Sequence, residues 1–421
     1  MSAFIGIDVG ATSISGGIVT RQGEALAVEQ RATHGRGKGT AVETLLELVD
    51  AMVREARAGE MHVVGVGVGL AGVVDVRNGA MMKFPGNHVR EFGGVPLASI
   101  ITKATGLPAF IDNDANALAL AEHMFGAARG ASSAVLLAVG AEIGGAIIAG
   151  NTLLRGHSGF GGELGHVPID FRGRRCICEG YGCAGTYLGG RVMAQAARRR
   201  AVRMRSKLVA MAGGDPRAIT SELVFEAARL DDPLAKSIVE QACEALGALL
   251  AVIVKGINPE VVVVTGGVAA SLAPLRDDIL RRAGRYAPAL GQTRLEIVSG
   301  DKSRTVRGGA ALVLYELGRT MPQPQKEPMM PKYVIEREIP GVGSWPQEKL
   351  QAASRKSNEI LRKLGPDIQW VESYVTTDRL FCVYIAPSED LIRTHGAKGG
   401  FPVTRIARIA GKIDPSTAEK S

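Results

Sequence analysis

Long apolar runs are absent from this chain, since no stretch reaches the roughly 18 uninterrupted apolar residues of a membrane span. The N-terminus, Met1-Ser2-Ala3-Phe4, also lacks the charged and apolar regions of a signal peptide. We therefore expect a cytoplasmic protein without a membrane partner.

Cysteine is also rare, with five residues in the chain. Three of them, Cys176, Cys178 and Cys183, lie close together in the sequence. In a reducing compartment this spacing favours a metal site over a disulfide framework. Cys243 and Cys382 stand apart, and we expect them to be core thiols.

Acidic residues are outnumbered by basic ones, which gives a net charge of +8. Much of the excess lies between Arg198 and Lys207, where a helical pattern predicts a solvated helix face or, alternatively, a patch that binds phosphate or nucleic acid. Aromatic residues, 5% of the chain, do not interleave with these basic residues, and no helix-turn-helix pattern precedes the first strand. We therefore do not expect a nucleic-acid partner.

The remaining composition, with 46% hydrophobic and 22% charged residues, is that of a folded globular protein. Its 421 residues predict about three domains. Strand patterns at 4–7, 63–69 and 109–111 alternate with helical patterns at 41–58 and 96–105. This alternation favours an α/β architecture.

A strand, a glycine turn and a second apolar run occur at 4–19, and a weaker version of the same pattern occurs at 134–148. The spacing is that of two duplicated halves of one fold. The chain from 188 to 255 is mostly helical in pattern, and a buried strand at 261–265 and a helix at 303–317 follow.

A linker is predicted at 321–331, because three prolines fall between Thr320 and Pro328 and preclude a helix or a sheet ladder there. The segment beyond it, 332–419, has the order strand, helix, strand, strand, helix, strand, which predicts a ferredoxin-like α+β domain.

Two polar segments follow strands and could carry chemistry. Asp8-Val9-Gly10-Ala11-Thr12 places a carboxylate at a glycine turn, where backbone N–H groups can approach a phosphate and the carboxylate can hold Mg²⁺. Asp112-Asn113-Asp114-Ala115-Asn116 offers two carboxylates whose pKa values can separate, leaving one as a base. A plain hairpin tip and a helix N-cap are the alternatives.

The strongest pattern is His166 followed by the three clustered cysteines, because one imidazole and three thiolates complete a closed tetrahedral zinc site. Three buried thiols beside an unrelated histidine are the alternative, although glycines and charged residues surround them. Such a site would fix the backbone at Glu163, a candidate hydrogen-bond partner for a polyol. Thr265-Gly266-Gly267-Val268, at the end of a strand, suits a nucleotide's adenosine or a simple turn.

Together these motifs resemble the ROK family of bacterial sugar kinases, repressors and open reading frames over residues 3 to 319. The matching motifs are Asp8-x-Gly10-x-Thr12, Gly72-Val-Val-Asp75, Asn113-Asp114-Ala115-Asn116, Glu163-x-Gly165-His166 and Cys176-x-Cys178-x4-Cys183. The resemblance implies a two-lobed actin-like, hexokinase-like ATPase fold with ribonuclease H-like lobes, at 1–118 with 296–320 and at 119–295.

The resemblance also implies ATP-dependent phosphorylation of a hexose or acylated aminohexose, usually at the 6-hydroxyl, by a homodimer that uses ATP, Mg²⁺ and Zn²⁺. Asp114 matches the catalytic base. The positions that match sugar contacts are Gly72, Asn87, Asn113, Asp114, Glu163 and His166. The positions that match nucleotide contacts are Asp8, Gly10, Thr12, Gly140, Gly144, Gly145, Gly266 and Gly267. The zinc ligands would be His166, Cys176, Cys178 and Cys183.

This chain departs from the family pattern at several positions. Ala141 and Glu142 replace the usual Thr-Gly of the second phosphate loop, Gly185 replaces a sugar-binding glutamate, and Glu179 replaces a glycine. Ser13 stands where many sugar kinases have lysine. An anionic Glu142 would repel ATP, so a non-catalytic sugar-binding sensor is the main alternative, and a DNA-binding regulator is a third hypothesis.

The C-terminal segment resembles a small bacterial domain of unknown function with a ferredoxin-like fold. Some members of that family are associated with nickel binding, but His395 is the lone histidine here. We expect this domain to pack or to dimerise.

Overall fold

A computed structural model describes residues 1–34, 40–82, 89–287, 292–320, 331–365 and 368–409. The chain divides into two compact units, Met1–Arg319 and Thr320–Ser421. Nearly all of the predicted linker at 321–331 lies outside the described residues.

The first half of the large unit is built on a five-stranded sheet. Its elements are β1 (Ser2–Val9), β2 (Ser13–Thr20), β3 (Ala25–Ala32), α1 (Ala41–Ala58), β4 (His62–Leu70), β5 (Val74–Asp75), β6 (Ala80–Met81), α2 (Leu97–Thr105), β7 (Ala109–Asn113) and α3 (Asp114–Phe125). The sheet has the order β3-β2-β1-β4-β7, in which β1, β2 and β3 are antiparallel neighbours and β4 and β7 are parallel.

The second half repeats this topology. Its elements are β8 (Ala134–Val139), β9 (Ile143–Ala149), β10 (Thr152–Leu153), α4 (Gly185–Leu188), α5 (Gly190–Ala201), α6 (Leu208–Met211), α7 (Ser221–Arg229), α8 (Pro233–Gly256), β11 (Val261–Thr265), α9 (Ala269–Leu272), α10 (Arg276–Tyr286), β12 (Arg294–Ile297) and α11 (Lys302–Thr320). The sheet order β10-β9-β8-β11-β12 again places three antiparallel strands beside two parallel ones. The repeat in the sequence therefore corresponds to two sheets of the same design.

Glycines let α11 approach the first sheet closely. A Cβ atom at Gly67 in β4 would lie 1.9 Å from the carbonyl oxygen of Gly309, and one at Gly6 in β1 would lie 1.8 Å from that of Val306. Neither distance is compatible with any side chain, so the alternating valine and glycine of β4 reflect contact with a helix. Val63, Val66 and Val68 of the same strand face the opposite way, into the core that also contains the buried side chains of α1.

The longest helix, α8, lies in the second hydrophobic core. It is long and apolar enough to cross a membrane by length and composition, but 67% of its most apolar window is buried inside the structure. Its buried side chains pack with those of α5, α7 and α10. The length and apolar composition of α8 are therefore explained by its burial in this core.

The small unit has the predicted order of elements. They are β13 (Lys332–Glu338), α12 (Gln347–Leu364), β14 (Gln369–Val375), β15 (Arg379–Ile385), α13 (Glu389–Gly399) and β16 (Arg405–Arg408). The antiparallel sheet has the order β14-β15-β13-β16, which is the ferredoxin-like arrangement. The predicted α+β fold is confirmed.

Three details differ from the sequence-based expectations. The basic helix expected through Lys207 ends at Ala201, and residues 202–206 are irregular. Strand β3 was not anticipated. Strand β12 pairs with β11 in the second sheet, so the lobe boundary predicted at 295/296 falls inside a strand.

A buried polar cluster lies inside the small unit. His395 is fully buried, its Nε2 atom lies 3.1 Å from the Ser357 hydroxyl, and its ring stacks on Phe401. Burial lowers the pKa of His395, and the nearby Arg337 guanidinium lowers it further. The folded unit therefore favours the neutral imidazole.

We expect the small unit to lose stability as the pH falls from about 7.5 to about 5.5, because the unfolded chain gains a proton near an ordinary histidine pKa of about 6.5 and the folded unit resists it. Both tryptophans of the chain, Trp345 and Trp370, lie in this unit, so tryptophan fluorescence during urea unfolding of the full chain reports on it alone. His395→Gln should flatten the pH dependence of the free energy of unfolding. If the free energy of unfolding of that variant depended on pH as steeply as that of the parent chain, the neutral buried state of His395 would be contradicted.

Candidate functional site

The predicted polar residues gather where the parallel strands of the first sheet end. In the strand register Asp8 of β1 lies opposite Gly69 of β4, and Gly69 lies opposite Asp112 of β7. Because parallel strands end at the same edge, Asp8 and the Asp112–Asn116 segment meet there. Gly69 lets the start of the next helix approach this edge closely, since a Cβ atom there would lie 3.2 Å from the Cα atom of Asp114.

Asn113 begins helix α3 as its N-cap. Its side-chain oxygen accepts hydrogen bonds from the backbone N–H groups of Ala115, at 2.9 Å, and Asn116, at 3.2 Å. Its amide nitrogen donates to the carbonyl oxygen of Gly72 at 3.0 Å. The cap thus fixes Asp114 on the first turn, as the sequence alternative foresaw, and ties it to the segment after β4.

Asp112 has a structural role. The side chain is buried and accepts hydrogen bonds from Nε of Arg155 at 2.7 Å and from the amide of Asn116 at 2.9 Å. Arg155 also pairs with Glu316 of α11. The expectation that Asp112 and Asp114 form the interacting carboxylate pair is therefore wrong, because Arg155 neutralises Asp112.

The carboxylates that act on Asp114 come from elsewhere in the chain. Burial raises the pKa of Asp114 to about 7, and the negative charges of Asp8 and Glu163 contribute to the increase. Burial also raises the pKa of Asp8 to about 6, although a hydrogen bond with Thr305 partly offsets it. The pKa of Glu163 is raised by burial and lowered in part by His166. Three carboxyl groups thus share one poorly solvated place, the arrangement that produces a base active near neutral pH.

These groups line a single cleft of about 710 Å³. Both sheets contribute to its walls, because β1, β4 and β7 end on one side and the β8–β9 turn lies on the other. The predicted site residues that line it are Asp8, Gly10, Gly72, Asn113, Asp114, Gly140, Gly144, Glu163, His166, Cys178 and Gly266. The cleft therefore brings together the proposed base, the described sugar contacts and five of the proposed nucleotide positions.

Other predicted positions lie apart from this cleft. Thr12 is exposed, and its carbonyl accepts a hydrogen bond from the N–H of Thr33 at 3.1 Å. A Cβ atom at Gly145 would lie 2.5 Å from the carbonyl oxygen of Gly162, so that glycine permits close backbone packing. Gly267 lines an adjacent cavity of about 240 Å³. Asn87 lies outside the described residues.

The β8–β9 turn carries the unusual Ala141 and Glu142. The N–H of Gly140 donates to the carbonyl of Glu142 at 2.9 Å, and the N–H of Arg191 at the start of α5 donates to the carbonyl of Ala141 at 3.1 Å. The guanidinium of Arg191 forms an ion pair with the Glu142 carboxylate. The charge of Glu142 is thus compensated at the wall of the cleft.

The four predicted zinc ligands converge. The ligand atoms of His166, Cys176, Cys178 and Cys183 all lie within 4.8 Å of one another, and among the described residues this is the only such group that could hold a metal ion. The Sγ atoms of Cys178 and Cys183 are 3.6 Å apart, close to the separation of about 3.8 Å expected around a tetrahedral ion with bonds near 2.3 Å. The residues therefore fit zinc. Glu179 has φ of 69°, which explains why glycine suits this turn.

Sequence reasoning missed several residues of the cleft. Thr305, which contacts Asp8, and Arg191, which pairs with Glu142, both line it, as does Phe160. Thr305 lies in the first turn of a helix that follows a strand, and this position in the sequence could have indicated a residue of the cleft. Arg191 gave none, because its partner is 49 residues away in the sequence.

Known families match the chain in two places. A family model described as ROK family matches residues 4–316, and one described as nickel responsive protein SCO4226-like matches residues 333–409.

Both enzymes and regulators occur among the curated relatives. A glucokinase from Thermotoga maritima is 33% identical over 285 residues, which are 66% of this chain and 86% of that protein. A xylose repressor from Caldicellulosiruptor bescii is 27% identical over 322 residues, which are 75% of this chain and 79% of the repressor. The glucokinase relatives support sugar phosphorylation, whereas the repressor relatives leave open the alternative that the chain is a regulator.

Among solved structures, a ROK family glucokinase from Streptomyces griseus in complex with glucose and AMPPNP has a TM-score of 0.60 and 30% identity. The match covers 73% of this chain and 98% of that one. The predicted two-lobed actin-like fold is thereby confirmed.

The different surroundings of two neighbouring aspartates predict opposite effects on stability. Asp112→Asn should lower the free energy of unfolding by about 2–3 kcal/mol, because the largely buried Arg155 loses a charged partner. Asp114→Asn should leave the free energy of unfolding at about pH 8 unchanged or higher. A carboxyl whose pKa is raised by folding is destabilising when ionised, and this variant removes that cost. Urea unfolding followed by far-ultraviolet circular dichroism checks both, and equal losses in the two variants would refute the distinction.

Proposed function

Because the chain belongs to the ROK family, we propose that it is an ATP-dependent sugar kinase that phosphorylates a hexose or N-acylated aminohexose at the 6-hydroxyl. The observation that carries the proposal is the cleft in which Asp114, with its pKa raised to about 7, faces phosphate-loop glycines from both sheets. A base of that pKa is half ionised near neutral pH and can accept a proton from a hydroxyl.

Asp114 acts as the base. As the acceptor oxygen forms a bond with the γ-phosphorus of ATP, the bond from that phosphorus to the bridging oxygen breaks, ADP leaves and the hydroxyl proton passes to the Asp114 carboxylate. Such transfer depends mainly on positioning and charge neutralisation. The cap by Asn113 supplies the positioning, since it fixes the first turn of α3. Glu163 and His166 line the cleft beside Asp114 and are suited to hold the sugar hydroxyls.

Asp8 is the residue that would hold hydrated Mg²⁺. Its carboxylate lies at the end of β1 in the cleft, and burial raises its pKa by disfavouring the charged form, so a bound cation would offset that penalty. Magnesium, when bound, supplies neutralisation of the phosphate charges. Thr305 orients the Asp8 carboxylate through its hydrogen bond.

The nucleotide would lie toward the second sheet. Gly140 and Gly144 bring the β8–β9 turn to the cleft without side chains, and Gly267 opens the adjoining cavity for adenosine. The ion pair between Arg191 and Glu142 reduces the repulsion that a free carboxylate would exert on the triphosphate.

Zinc at His166 and the three cysteines would be structural. Four protein ligands leave no open position for substrate, so the ion would fix the loop that carries Glu163 and His166. Its role would be to hold the sugar-binding wall of the cleft.

A sugar-responsive regulator is the second candidate, favoured by Ala141 and Glu142 in the phosphate loop. It would bind a hexose in the same cleft without turnover. The homodimer expected from the family stays a prediction.

Incubation of the purified chain with Mg-ATP and a panel of hexoses and N-acylated aminohexoses should give sugar-dependent ADP release. Asp114→Asn should lower kcat by about 10²–10⁴-fold, since the base is lost while the cleft keeps its shape. Asp50→Asn, on the exposed face of α1, is the matched control and should retain full activity. Hexose binding by calorimetry with no turnover above the Asp114→Asn level would establish the regulator instead.

Metal analysis tests the zinc site. The parent chain should contain about one zinc per chain, and Cys178→Ser should lose it because three ligands hold zinc poorly. Cys243→Ser, which alters a buried thiol of α8, should keep its zinc. Equal zinc content in all three proteins would contradict the ligand assignment.

A further inference from the structure

A second cavity, of about 550 Å³, adjoins the sugar side of the cleft. We call it the arginine groove. The residues that line it come from the β8–β9 turn, from the segment 163–183 that carries the predicted zinc ligands (the zinc loop), and from α4 and α5. They include the arginines Arg174, Arg175, Arg191 and Arg199.

The positive charge of the groove is largely uncompensated. Among the described residues, Glu142 is the only carboxylate that lines the groove, and it pairs with Arg191. Arg174 is held by neutral groups, donating to the carbonyl of Thr186 at 2.8 Å and to the side chain of Gln241. Within the described parts of the chain, the guanidinium groups of Arg175 and Arg199 have no hydrogen-bond or ion-pair partner. Three arginines therefore face the groove with their charge available to a ligand.

The groove and the cleft share walls. Glu142, Ile143, His166, Ile177 and Arg191 line both cavities. A molecule in contact with His166 thus lies at the entrance to the groove.

Gly165 and Gly185 line the groove beside His166 and carry no side chains that could fill it. Their backbones pack closely, since a Cβ atom at Gly185 would lie 3.1 Å from the carbonyl oxygen of Gly165.

We propose that the arginine groove binds an anionic group, a phosphate monoester or a carboxylate, carried by the sugar at the end remote from the hydroxyl that faces Asp114. This inference rests on the proposed sugar site and specifies its substrate class as an anionic sugar. Arg175 and Arg199 would bind the anion by charge-assisted hydrogen bonds, for which the planar guanidinium is well suited. An independent small anion offers the same chemistry, so the test separates the two sources.

Calorimetry on the full chain without ATP tests the proposal, with glucose, glucose 1-phosphate and inorganic phosphate as probes. Glucose 1-phosphate should bind at least about tenfold more tightly than glucose, and its affinity should fall with increasing salt. The double variant Arg175→Gln/Arg199→Gln should weaken glucose 1-phosphate binding by at least about tenfold and glucose binding by less than about twofold. The control Arg203→Gln/Arg205→Gln removes the same charge from an exposed segment outside the groove and should change neither.

The outcomes are distinct. If inorganic phosphate binds as tightly as glucose 1-phosphate and loses affinity in the groove variant, the anion site stands and its ligand is a separate ion. If no anionic probe binds better than glucose, or if the groove variant and the control behave alike, the proposal fails. Calorimetry reports on the groove and the ADP-release assay reports on the kinase function, so the two can fail separately. Binding of the sugar phosphate in a chain without kinase activity would refute the kinase function alone, and phosphorylation of glucose without anion binding would refute the groove alone.

Discussion

Arg155 links the two sheets of the large unit. It follows β10 of the second sheet, and its guanidinium binds Asp112 of the first sheet and Glu316 of α11. All three side chains are largely buried, so removal of one partner would leave an uncompensated charge at high cost. Asp114 begins the helix two residues beyond Asp112, so this contact anchors the end of the strand from which that helix starts.

The same arrangement explains the electrostatics of the site. Asp8 and Asp114 come from the first half of the chain, whereas Glu163 follows the second hairpin. Burial raises the pKa values of all three, and the charges of Asp8 and Glu163 raise that of Asp114 further. A chemical role is the simplest reason to hold like charges together, because the fold gains nothing from their repulsion. A regulator that binds sugar in the same cleft would need the sugar contacts but would not need Asp114 as a base.

Local patterns predicted the elements well, while contacts between distant residues could not be predicted. Helix α1 has the predicted bounds, Ala41–Ala58, because its capping box of Thr40 and Glu43 marks its start and an apolar stripe its length. The basic run after Ala201 has good helix formers yet is irregular, since exposed arginines give no apolar face to pack. The pairing of Glu142 with Arg191 arises only from tertiary structure, so the sequence suggested repulsion where the fold supplies a counter-ion.

The glycine contacts of α11 set a limit on how this chain can vary. Any larger residue at Gly6 or Gly67 would push the helix off the first sheet, and with it Thr305, which reaches into the cleft from the same helix. Such a substitution would leave every reacting group in the sequence and still misplace the carboxylate of Asp8. Substitutions at Gly6 and Gly67, which carry no functional group, are therefore expected to impair ligand binding as severely as substitutions of the polar residues that line the cleft.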